Sequence, residues 1–86
     1  MSTTAAKFIE SGLEFEASQD YNEAIQSYEK ALESDPRNLT AWVKIGEIHS
    51  YKNDIEKAMD IFTKVLEIDP QNRIALEYRC LFGEKC

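Results

Sequence analysis

Cysteine is scarce in this chain, and what little there is sits together: Cys80 and Cys86 are the only two, both near the C-terminus. A bridge between them would close a short loop and staple nothing else, so a disulfide framework is excluded and both side chains are expected as reduced thiols. With one distant histidine, His49, they fall short of the four ligands of a structural zinc site. No metal or cofactor is therefore expected. The three glycines occur singly, which leaves no phosphate-cradling loop. With only two prolines besides, the chain has no room for linkers or low-complexity tracts. Residues 1–4 are expected as a flexible start. Apolar runs are short, far below the ~20 residues that span a bilayer, and "MSTTAAKFIESG" lacks the basic start and apolar stretch of a signal peptide. The expectation is an intracellular, cytoplasmic chain without a membrane partner. Basic residues are also in deficit, 10 Lys and Arg against 16 Asp and Glu, for a net charge of −6. That balance repels phosphate backbones, which argues against nucleic acid and in favour of basic partners.

What the chain does have is one sentence written twice. "DYNEAIQSYEKALESDPRN", from Asp20 to Asn38, returns 34 residues later as "DIEKAMDIFTKVLEIDPQN", from Asp54 to Asn72, with eight of nineteen positions identical. In the first copy Ala24, Ile25, Tyr28, Ala31 and Leu32 make one apolar face at helical spacing, and Ala58, Met59, Phe62, Val65 and Leu66 repeat it. Pro36 and Pro70 disfavour helical backbone at Asp35 and Asp69, which ends each helix there. Asp20, with Glu23 three residues on, and Asp54 are expected to cap these helices, and Asn38 and Asn72 the helices that follow. Gln19-Asp20 and Asn53-Asp54 supply tight turns, with Asn53 suited to a left-handed backbone.

Two more helices fit the intervening segments "AAKFIESGLEFEAS" and "LTAWVKIGEIHSYK". These share little identity, yet each places an aromatic residue (Phe8, Trp42) four positions before a glycine (Gly12, Gly46). A helical glycine costs ~1 kcal/mol against alanine, so its return at the same period points to close approach of a partner helix. A helix pair of this length cannot bury its apolar face alone, and stacking neighbours is the remedy.

In this register the residues resemble the tetratricopeptide repeat, a 34-residue helix-turn-helix unit. Phe8, Gly12, Phe15, Ala24, Tyr28, Ala31 and Pro36 fit its pattern in the first unit, with Ser11 as the exception. Trp42, Ile45, Gly46, Ala58, Phe62 and Pro70 fit it in the second, with departures at His49 and mildly at Val65. The resemblance implies an all-α, right-handed superhelix of about five helices: repeats over residues 5–38 and 39–72, then a capping helix and tail over 73–86.

The family commonly binds peptides on the concave face formed by the first helix of each unit. Carried over by position, this groove contains Ile9, Glu10, Leu13 and Glu16, then Val43, Lys44, Glu47 and Tyr51, then Ile74, Glu77, Tyr78 and Leu81. The lysine and asparagine clamp with which some members hold acidic chaperone tails is absent, since Ile9, Leu13, Lys44, Ile74 and Tyr78 occupy those positions. Trp42 and Phe8 read as core, and His49 as a satisfied or half-exposed core residue and not a catalytic base. The scattered carboxylates Glu14, Glu16, Glu23, Glu29, Glu33, Asp60 and Glu67 read as a solvated face. The expected function is a non-catalytic protein-interaction module for a basic or amphipathic peptide. The rival is a structural unit that self-associates weakly, or a piece of a longer scaffold or co-chaperone.

Overall fold

Each of the repeated apolar faces becomes one side of a helix pair. The computed structural model describes residues 3–83, which form α1 (Thr3–Ala17), α2 (Tyr21–Ser34), α3 (Leu39–Tyr51), α4 (Ile55–Ile68) and α5 (Arg73–Leu81), with no strand among the described residues. α1 begins at Thr3, so the helix takes in part of the stretch expected to be flexible, while residues 1–2 lie outside the described residues. Consecutive helices pack on one another from α1 to α5, giving a slab of 36 × 27 × 16 Å.

The helix ends follow from local chemistry. Asp35 and Asp69, each before a proline, are extended (φ −144° and −138°) and terminate α2 and α4. Asn38 and Asn72 then cap α3 and α5: each side-chain oxygen accepts the amide hydrogen of a residue three further on, Ala41 and Ala75, at 3.0 Å. The expected caps at Asp20 and Asp54 do not form, since neither side chain accepts a backbone amide of its helix. The reason lies one residue earlier, where Gln19 (φ 64°) and Asn53 (φ 62°) are left-handed. The following aspartates are thereby held at ψ 71° and 72°, short of the ψ 104° and 116° seen at the two working asparagine caps. Their amides instead tie the turns by donating to the Phe15 and His49 carbonyls at 2.8 Å.

The core has two centres separated by α3. Ala41, Ile45 and Ile48 of α3 join Ala5, Ala24, Tyr28 and Ala31 on one side, while Val43 joins Ala58, Phe62, Val65 and Ala75 on the other. Tyr28 and Phe62 stand at matched positions of the two copies, and both are fully buried. Burying such a ring contributes about 2 to 3 kcal/mol. Room for each ring comes from the glycine opposite: a Cβ on Gly12 would lie 2.7 Å from Tyr28 Cδ1, and one on Gly46 would lie 2.8 Å from Phe62 Cζ. The two glycines are where the helices of each pair close on one another.

Phe8 and Trp42 are packed against the core as expected, although Trp42 stays half-exposed and its indole N–H donates to the Pro36 carbonyl at 2.8 Å. Cys80 is disulfide-bonded, which corrects its expected state as a reduced thiol; Cys86 lies outside the described residues. Cys80 stands in the last turn of α5, and the chain reaches Gly83, at φ 98°, three residues later. The state of Cys80 offers no support for a reducing compartment.

Candidate binding face of α1, α3 and α5

A cleft of about 240 Å³ opens between α3 and the start of α5, with no α4 residue in its lining. Thr40, Val43, Lys44 and Glu47 form its α3 wall and Ile74 its α5 wall, so four of the sequence-expected groove residues meet in one depression. Val43 is the floor, only 6% exposed and shared with the second core centre, and Ile74 is the rim.

The polar chemistry is concentrated at the α1 side of this cleft. Lys44 Nζ and Glu47 Oε1 are 3.8 Å apart, a pair one helical turn long on α3. Burial pushes the Glu47 carboxyl above the ordinary carboxylate range; the Lys44 charge pulls it back part of the way and the Glu16 charge adds to the rise. Tyr28, reaching through from the core, donates its hydroxyl to Glu16 Oε1 at 2.8 Å. Burial, assisted by that bond and by Glu16 and Glu47, raises the Tyr28 phenol far above its ordinary value. The Tyr78 phenol is pushed up to about 12, first by burial and then by Glu47 and the neighbouring Tyr51. Tyr51 is itself raised by burial, then by Glu47 and Glu16. Every tyrosine here stays neutral, and Glu47 is the carboxylate all three phenols feel.

Rings complete the site. Tyr78 stacks on Phe62 (centroids 4.6 Å apart, planes at 13°) and leans on Phe82 at 5.7 Å, while Tyr51 faces Tyr21 at 6.1 Å. Tyr51 remains 55% exposed, so its ring is surface available to a ligand.

Of the twelve residues expected in the groove, the structure gathers Glu16, Val43, Lys44, Glu47, Tyr51, Ile74 and Tyr78 around this cleft and acid centre. Leu13 is exposed on α1, Glu10 is exposed near it, and Ile9 turns partly inward against the first core centre. Glu77 and Leu81 line a separate shallow depression with Cys80. Four of the large hydrophobic side chains left in water are expected groove residues: Leu13, Tyr51, Ile74 and Leu81. Ile55 and Leu76 are exposed elsewhere. Two participants escaped the sequence reading, Tyr21 beside Tyr51 and the Tyr28 hydroxyl on Glu16. The second left a signal, because Tyr28 aligns with Phe62 and differs from it only by the hydroxyl.

Of the carboxylates read as solvated, Glu14, Glu23, Glu29, Glu33, Asp60 and Glu67 are exposed, whereas Glu16 is half-buried and accepts the Tyr28 hydroxyl, which corrects its reading. No three His, Cys, Asp or Glu among the described residues are arranged to hold a metal ion. No helix among the described residues is long and apolar enough to cross a membrane. No curated protein matches the chain closely. A family model for the tetratricopeptide repeat matches residues 16–77, from the end of α1 into α5 and so across the turn, both repeated helices and the acid centre described above. With five helices in consecutive pairs and a match over well more than half its length, the chain belongs to the tetratricopeptide repeat family.

Proposed function

We propose that this protein is a non-catalytic protein-interaction module whose α1/α3/α5 face holds a short basic, amphipathic segment of a partner. Family members serve generally as protein-interaction scaffolds. Residues 5–38 and 39–72 act as the two repeats of a right-handed stack, and α5 closes it. The observation that carries the reading is the meeting, in one cleft, of exposed apolar surface at Ile74 with a half-buried carboxylate, Glu47, whose one ion-pair partner among the described residues, Lys44, is held at 3.8 Å. A lysine or arginine brought by a ligand relieves the desolvation of Glu47 while its apolar neighbours cover the strip. Charge pairs at the rim speed encounter and confer salt sensitivity, and apolar contact carries most of the affinity. Micromolar binding, about −8 kcal/mol, suits so short a face.

The test is a titration of isotope-labelled protein with a basic amphipathic peptide and its acidic counterpart. The reading expects the basic peptide to bind more tightly and to move amides of α1, α3 and α5, Glu47 and Tyr51 among them. Tighter binding of the acidic peptide, or still amides on those helices, refutes it. A second reading is self-association through α5, which leaves Leu76 43% exposed on the side away from the cleft. Sedimentation over a concentration series separates the two.

A further inference from the structure

A second cleft, of about 430 Å³, lies on the other side of the molecule between α2, α3 and α4. Its floor is apolar: Leu32 from α2, Ile45 from α3 and Ile61 from α4. Trp42 forms one end, with the indole held in place by its bond to the Pro36 carbonyl. Glu29 and Glu33, one turn apart on α2, form the rim. Both are exposed, and neither has an ion-pair partner among the described residues, where the three pairs are Lys44–Glu47, Lys57–Asp54 and Lys64–Glu67.

The cleft has a cause in the sequence. His49 is the counterpart of Phe15 in the first unit, and Phe15 packs against the first core centre. The smaller imidazole at this position lines the cleft instead, and its Nδ1 is buried without a hydrogen-bond partner. A packing position has thus been given a ring that neither fills its space nor satisfies its own polar atom.

From the apolar floor, the indole end and the two unpaired carboxylates above it, we infer that this cleft is a second docking site, taking an arginine-bearing apolar stretch of a protein partner. The chemistry selects the occupant. A phosphate or carboxylate ligand meets two negative charges at the rim, and a purely aliphatic one leaves them unanswered. A guanidinium can lie flat on the Trp42 ring while donating in parallel to one carboxylate, and an ammonium can do only one of these well. The apolar neighbour of that arginine rests on Leu32, Ile45 and Ile61. None of the acid centre on α1, α3 and α5 takes part, so this site and the peptide face stand or fall separately.

The probes are benzamidine, its neutral isostere benzamide, and a helical alanine-based peptide with Leu and Arg one turn apart, each titrated into isotope-labelled protein. Benzamidine and the Leu-Arg peptide are expected to move the Trp42 indole N–H and the amides of Leu32, His49 and Ile61. Benzamide is expected to bind at least about fivefold more weakly, the loss of a charge-assisted bond. The double variant Glu29→Gln/Glu33→Gln, exposed at both positions and so neutral to folding, should bring benzamidine down to the benzamide level. His49→Phe, which fills the cleft, should abolish both sets of shifts. Equal binding of benzamidine and benzamide overturns the inference, as do shifts confined to α1 and α5 or full binding by His49→Phe. Gel filtration from micromolar to millimolar protein, without probe, completes the test. A monomer throughout supports an external partner, and dimerisation that moves the Trp42 indole overturns it in favour of a second copy.

Discussion

Pair α1/α2 and pair α3/α4 present the same relief, a glycine facing a buried ring, and then put the ring to different uses. Tyr28 passes its hydroxyl out of the core to Glu16, fixing a carboxylate at the proposed binding face from within. Phe62 has no polar handle and serves as a platform, with Tyr78 of α5 stacked on it at 4.6 Å. One ring positions charge and the other anchors the closing helix. The repeat therefore constrains shape, set by apolar volume, while single polar atoms at matched positions decide what each unit contributes to the surface.

The largest effect should come from breaking what the pairs share. Gly46→Leu places a side chain where Phe62 Cζ and Ile61 Cγ2 stand 2.8 and 3.1 Å from a bare Cβ, and Gly12→Leu does the same against Tyr28. Each should cost about 1 to 3 kcal/mol or more in urea denaturation. Retention of parental stability by either variant would contradict the close approach in that pair.

Tyr28→Phe turns the first ring into the second. Loss of the bond to Glu16 should cost about 1 kcal/mol and loosen that side chain, a change seen as broadened Glu16 signals. Phe62→Tyr offers no compensating partner and gives the opposite arm of the comparison.

The two turns, Ser18-Gln19-Asp20 and Lys52-Asn53-Asp54, differ at the left-handed residue, and this predicts a gain. Gln19 adopts the left-handed backbone without the local hydrogen bonding that makes it tolerable for asparagine, the residue present in the matched turn at Asn53. Gln19→Gly should stabilise by roughly 0.5 to 1 kcal/mol and Asn53→Gly by less, as read from paired thermal melts.

The smallest effect is a dependence on pH that the first pair lacks, since Phe15 does not titrate. Burial holds the His49 imidazole below its ordinary value of 6.5, with Asp54 and Glu29 pulling it up and Lys57 and Lys52 pushing it down. The folded state thus binds fewer protons than the unfolded state in that window. The stability from His49 is whole above 6.5 and is lost as pH falls through the folded value. Glu47 has the opposite sign in a lower window: with its carboxyl raised, stability is lost as pH rises through the folded value. His49→Phe should flatten the first slope and leave the second.

The fold was legible because its determinants are periodic and apolar: the two proline stops, the asparagine caps and the glycine-ring pairs all recur at 34 residues. The aspartate caps were misread because the left-handed residue before each depends on how the turn closes, which side-chain type alone does not encode. At the site, register put Val43, Lys44, Glu47 and Ile74 around one cleft, while Tyr78 lies outside its lining and stacks on Phe62. It did not show that Ile9 turns partly inward, nor that Glu16, Glu47 and the tyrosines converge from four helices. That convergence depends on the angle between stacked units. The His49 cleft is the reverse case, since its cause was visible as a departure from the pattern and its shape was not.

The measurement closest to the central claim is calorimetric titration of a basic amphipathic peptide into the parent protein and Glu47→Gln. Removing the desolvated charge should weaken binding about threefold to tenfold, reduce its salt dependence, and leave the melting temperature equal or slightly higher. Unchanged affinity in Glu47→Gln would show that the α1/α3/α5 face is not where this protein meets its partner.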